Sequence, residues 1–84
     1  MRYAADDRQE VRAVFAAPGY AVMVERTEQG WTATQTSGAA GASLKVGDSW
    51  VVLTIGQAAP MPIDALPEQL VLVDLAGREI TLTR

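Results

Sequence analysis

Three serines, a pair of neighbouring aspartates, one lysine and a scatter of glycines are the residues from which chemistry could be built in this chain. Asp6-Asp7 is the sole adjacent acidic pair. General acid and base work needs two carboxyls in different environments, and neighbours in a polar segment share the same solvent. Asp48, Asp64 and Asp74 could supply oxygen to a hard cation, but their spacing matches no calcium loop. Turn formation already accounts for two of them. Ser37, Ser43 and Ser49 lack a base to take a proton: the chain has no histidine, and the sole lysine, Lys45, sits in the turn entry Leu44-Lys-Val-Gly-Asp48. Gly38, Gly41, Gly47 and Gly56 form no phosphate loop, because no Gly-Lys-Ser/Thr follows. With no cysteine either, there is no thiolate or imidazole metal site. The expectation is a protein that is not an enzyme, with no catalytic, cofactor-binding or metal-binding residues and no cofactor.

Contact residues are the remaining candidates. Trp31 and Trp50 each read either as core or as an interface anchor, since tryptophan is enriched at binding hot spots. Trp50 is assigned to the core, whereas Trp31, on a more polar strand, is left open between the two. Met61, Ile63 and Leu66 make an apolar loop out of the proline-rich stretch 57–67, which is unusual for a surface connection. A folded-back lid is one reading, and the one adopted is contact with a partner. Trp31, Met61, Ile63 and Leu66 are therefore the expected subunit or partner contacts.

Short β elements must position these side chains. Residues 1–9 are polar and charged, an N-terminal arm. Residues 6–16 carry two patterns: Asp6 and Asp7 could cap a helix with Val11, Val14 and Phe15 on one face, or Val11, Ala13 and Phe15 could alternate as a strand. Tyr20 to Val24 and Trp31 to Thr36 read as a hairpin, with Trp31, Ala33 and Gln35 sharing one face. Gly47-Asp48 is a turn pair leading into a β-branched and aromatic run from Ser49 to Ile55. Three prolines in 57–67 argue for a loop rather than a central strand. Leu70 to Val73 and Glu79 to Thr83 form a closing hairpin around Asp74 to Gly77, with Gly77 placed for positive φ.

Facing matters more than the number of strands. Val51, Leu53 and Ile55 are apolar on one side, while Trp50 and Val52 keep the other side apolar; Leu70 and Leu72 likewise oppose Val71 and Val73. A small β domain buries only its inner face, so the outer apolar residues need a cover. The fold expected is all-β, a small antiparallel β-sandwich or partly open β-barrel of about six strands, with room for a short N-terminal helix or arm.

Length and charge narrow the function classes. The 84 residues make a single β domain, 1–84, and a chain of this size buries only about 60 to 65% of its unfolded surface. A formal net charge of −3 with seven dispersed basic residues gives no stripe for phosphate, so sequence-specific nucleic-acid binding is not expected. The charged first ten residues do not read as a secretory signal, and no apolar run approaches the ~20 residues of a membrane-spanning helix. A soluble, cytosolic setting without a membrane is the expectation.

Glu10-Val-Arg-Ala-Val-Phe-Ala-Ala-Pro18, Leu44-Lys-Val-Gly-Asp48 before the longest strand, and the closing Asp74-x-x-Gly77 hairpin ending in Leu82-Thr-Arg84 together resemble the head-tail joining (head completion or stopper) proteins of long-tailed, lambda-like phages. The chain departs from them in its shortness and in the loop Ala58 to Pro67. The resemblance implies that Val11 to Phe15 is a strand. It also implies a structural subunit of a head-tail connector: a homo-oligomeric ring, usually sixfold, between the portal or adaptor and the tail, through which DNA passes, located in the virion and assembled in the host cytoplasm. An alternative is a small acidic protein-binding module that inhibits a host protein.

Overall fold

The computed structural model describes residues 11–84. The expected arm 1–9 and the Asp6-Asp7 pair lie outside them. The described residues form eight strands and no helix: β1 Arg12–Ala17, β2 Tyr20–Thr27, β3 Gly30–Ser37, β4 Ser43–Val46, β5 Ser49–Val52, β6 Ala59–Met61, β7 Gln69–Val73 and β8 Glu79–Thr83. The β1 segment carried both a helical and an alternating pattern, and it is a strand. Its Phe15 is buried while Val14 and Ala16 point outward, and it pairs along its whole length with β2.

All pairings are antiparallel and join one sheet in the order β5-β4-β7-β8-β1-β2-β3-β6. The sheet curls until its end strands β5 and β6 approach each other, giving a nearly closed barrel. A backbone hydrogen bond from Gly56 N–H to the Gln35 carbonyl at 3.0 Å ties the segment after β5 to β3 across that seam.

Eight strands replace the expected six for two local reasons. Gly47, at φ 59°, lets the chain reverse between Val46 and Ser49, so the Ser43 stretch is a strand in its own right, paired to β5 on one side and β7 on the other. The proline-rich stretch also contributes β6, which pairs Trp31 with Met61, Thr32 with Pro60 and Ala33 with Ala59. Pro60 is tolerated because β6 is the edge strand, where one row of backbone donors has no partner to serve.

The core follows the period of two. Phe15, Val22, Val24, Trp31, Ala33, Leu44, Val51, Leu53, Met61, Leu70, Leu72 and Leu82 are buried, drawn from the inward phase of all eight strands and from the residue that follows β5. Fully burying each large side chain contributes about 1.5 to 3 kcal/mol. Gln35 is the exception, fully buried and polar. Its Nε2 donates to the carbonyls of Ser37 (3.3 Å) and Ala39 (3.0 Å), fastening the loop between β3 and β4. Its Oε1 has no partner among the described residues.

Candidate functional site

Among the described residues, those capable of chemistry do not converge. Ser37 ends β3 and Ser49 begins β5, both exposed, while Ser43 is half-buried on β4 between Val52 and Val73. Among the described residues no cavity forms, and no three acidic side chains gather as cation ligands. Asp48 and Asp64 are exposed in turns and loops.

Asp74 has a structural job. Its Oδ1 accepts from the backbone N–H groups of Ala76 and Arg78, both at 2.9 Å, and its Oδ2 accepts from Arg78 Nε at 3.0 Å. The Arg78 backbone N–H chiefly holds the carboxyl below the usual carboxylate range; partial desolvation opposes it, and the Arg78 guanidinium and Ala76 N–H add to it. Gly77, at φ 84°, completes this turn between β7 and β8 as the sequence predicted.

Of the expected contact residues, two are buried and two are partly buried. Trp31 is 7% exposed and Met61 6%, facing one another inside the barrel, and Ile63 and Leu66 are partly buried against the same core. The loop is folded back as a lid, with Ile63 N–H donating to the Met61 carbonyl at 2.9 Å. Its apolar side chains pack against the core. Trp50 is corrected in the opposite sense: expected in the core, it is 57% exposed. Strand phase decides both. Trp31 shares its phase with buried Ala33 and Gln35, whereas Trp50 alternates with Val51 and Leu53, which take the inward positions.

The two most exposed apolar side chains on any strand, Trp50 and Val52, lie on the outer face of β5, beside β4 and β7. Cross-strand pairing puts Trp50, Lys45, Val71 and Thr81 in one row and Val52, Ser43, Val73 and Glu79 in the next. Val52 is 71% exposed; Val71 and Val73 are half-buried. Leu75, in the turn that follows Val73, is also exposed and packs over Gly41, where an added Cβ would meet its Cγ at 2.7 Å. Lys45 lies between Trp50 and Val71 and makes no ion pair among the described residues. The cluster sets aromatic and β-branched side chains around one cation.

The alternation of Trp50 and Val52 against Val51 and Leu53 was the signal for this face. Leu75 carried none, since a turn residue follows no period. No family model matches the chain, and searches of curated proteins and of solved structures find no match. Among the described residues no helix is long and apolar enough to cross a membrane.

Proposed function

We propose that this chain is a non-enzymatic structural subunit that works by assembling with copies of itself. The specific role is that of the phage head-tail connector proteins its sequence resembles. In that role the copies form a ring, roughly sixfold, between portal or adaptor and tail, and the ring belongs to the virion after assembly in the host cytoplasm. One observation carries the assembly reading: Trp50 and Val52 stand side by side on the outer face, each more than half exposed, and nothing among the described residues covers them. Burying such surface favours association at about 25 cal/mol per Å² before the costs of ordering.

The dispersed cations suit a channel wall past which DNA must slide. Arg12, Arg26 and Lys45 lie on three different strands, Arg78 between β7 and β8 and Arg84 after β8, so no continuous basic track among the described residues grips phosphate. Negative-stain electron microscopy of the purified protein tests the role. Annular particles with a central opening are expected. Small featureless particles of monomer mass would contradict it and favour the acidic inhibitor module.

A further inference from the structure

The strand order divides into two halves of four. β5, β4, β7 and β8 form one and β1, β2, β3 and β6 the other, and within each half every neighbouring pair shares a ladder of three or more positions. Between the halves, β8 and β1 share a single paired position, Ala16 with Thr83. On the opposite side, no ladder joins β5 to β6 among the described residues. Two well-paired walls thus meet at two narrow junctions, and local opening follows the junction with the fewest bonds.

Gln35 crosses the β5–β6 seam. Its backbone carbonyl accepts from Gly56 N–H at 3.0 Å, tying the turn after β5 to β3. Its Nε2 donates to the carbonyls of Ser37 and Ala39, at the start of the loop that carries the chain from β3 in one half to β4 in the other. Gly38 lets that loop lie close on the amide, since an added Cβ would stand 3.0 Å from Nε2. One residue therefore holds both segments that bridge the seam at this end of the barrel.

Stability does not account for a glutamine here. The position shares the inward phase of Trp31 and Ala33, and its buried Oε1 has no partner among the described residues. An orphaned acceptor carries a desolvation cost that a methionine or leucine would avoid. What glutamine supplies and they cannot is the pair of donors on the loop. Core exposure marks the same line. Trp31, Val51, Leu53 and Met61, on or just beyond the strands nearest the seam, retain 3 to 7% exposure, whereas Phe15, Leu44, Leu72 and Leu82 retain none; Leu70, at 4%, is the exception away from it.

We propose that Gln35 is the latch of an opening motion. When its amide lets go, the β3–β4 loop and the turn at 54–57 come away together, and the β5–β6 seam parts about the short β8–β1 junction. Gln35 is a positioning residue for closure, and the device belongs to the single subunit. It goes beyond the assembly reading and stands whether or not copies associate.

Native-state hydrogen exchange on the intact chain tests it. The Gly56 amide reports the seam, and the amides of Val24, opposite Ala13, and Leu72, opposite Ile80, report each half. In the unaltered chain Gly56 is expected to exchange through an opening with weak denaturant dependence, while Val24 and Leu72 exchange through global unfolding. Gln35→Met keeps the side-chain length and removes the donors. It should speed Gly56 exchange about tenfold, leaving Val24 and Leu72 as protected as before or more so. Gln35→Leu takes its place if the methionine variant does not fold. Gly56 exchanging in step with Val24 and Leu72 in the unaltered chain would overturn the proposal. So would a Gln35 variant that speeds all three amides equally, which would make Gln35 an ordinary part of the core, or one that leaves Gly56 unchanged.

Discussion

Trp31 stands directly opposite Met61 in the ladder between β3 and β6, and both side chains are buried. The three-residue strand β6 is thus anchored as much by a side chain as by its backbone, since Pro60 donates no hydrogen bond. Met61→Ala should cost about 2 to 5 kcal/mol in chemical denaturation. Ile63→Asp should also lower the midpoint, because Ile63 packs on the core. An unchanged midpoint for both would return this loop to the surface.

The two tryptophans should report separately in fluorescence. Trp50→Phe should leave a blue-shifted emission that acrylamide quenches poorly, from Trp31. The unaltered protein should show an added accessible component when dilute, and that component should become protected as concentration rises. Equal quenching of both tryptophans under dilute conditions would contradict the strand phases described above.

Asp74 gives the β7–β8 turn a pH dependence of definite sign. Its folded-state pKa is lowered, chiefly by the Arg78 backbone N–H, so the stability it contributes is fully present above the ordinary carboxylate value of about 4. That contribution is lost as pH falls through the lower folded value. The stability difference between the unaltered protein and Asp74→Ala should be constant near neutrality and shrink in acid. A difference independent of pH would show that the hydrogen bonds and ion pair at Asp74 carry no net preference for the charged form.

Gly38 and Gly19 separate backbone strain from steric conflict. Both have positive φ, 118° and 85°, but an added Cβ meets nothing at Gly19, whereas at Gly38 it falls 2.3 Å from the Tyr20 ring and 3.0 Å from Gln35 Nε2. Alanine at Gly38 should therefore cost more than alanine at Gly19, by about 1 to 3 kcal/mol in thermal or chemical unfolding. Equal costs would mean that Tyr20 moves aside freely.

The fold class was legible because alternation is a local signal. Trp31, Ala33 and Gln35 share a phase in the sequence and in the barrel, and Leu70 with Leu72 turn inward as their period requires. Residue type misled where it was weighed against phase: Trp50 looks like core by size, yet Val51 and Leu53 hold the inward positions. The β6 strand was hidden by Pro60, which excludes a central strand and leaves an edge strand open. That Met61, Ile63 and Leu66 fold inward depends on the barrel end they cover, a long-range fact with no trace in the local pattern. The unpartnered outer face was visible as Trp50 and Val52 opposing an already apolar side.

Sedimentation velocity over a rising concentration series tests most directly whether that outer face is meant for another subunit. The unaltered protein should convert from monomer to one discrete larger species, while Val52→Asp, melting as the parent does when dilute, should stay monomeric throughout. A parent chain that sediments as a monomer up to millimolar concentration, or a Val52→Asp variant that associates as well as its parent, would contradict the account.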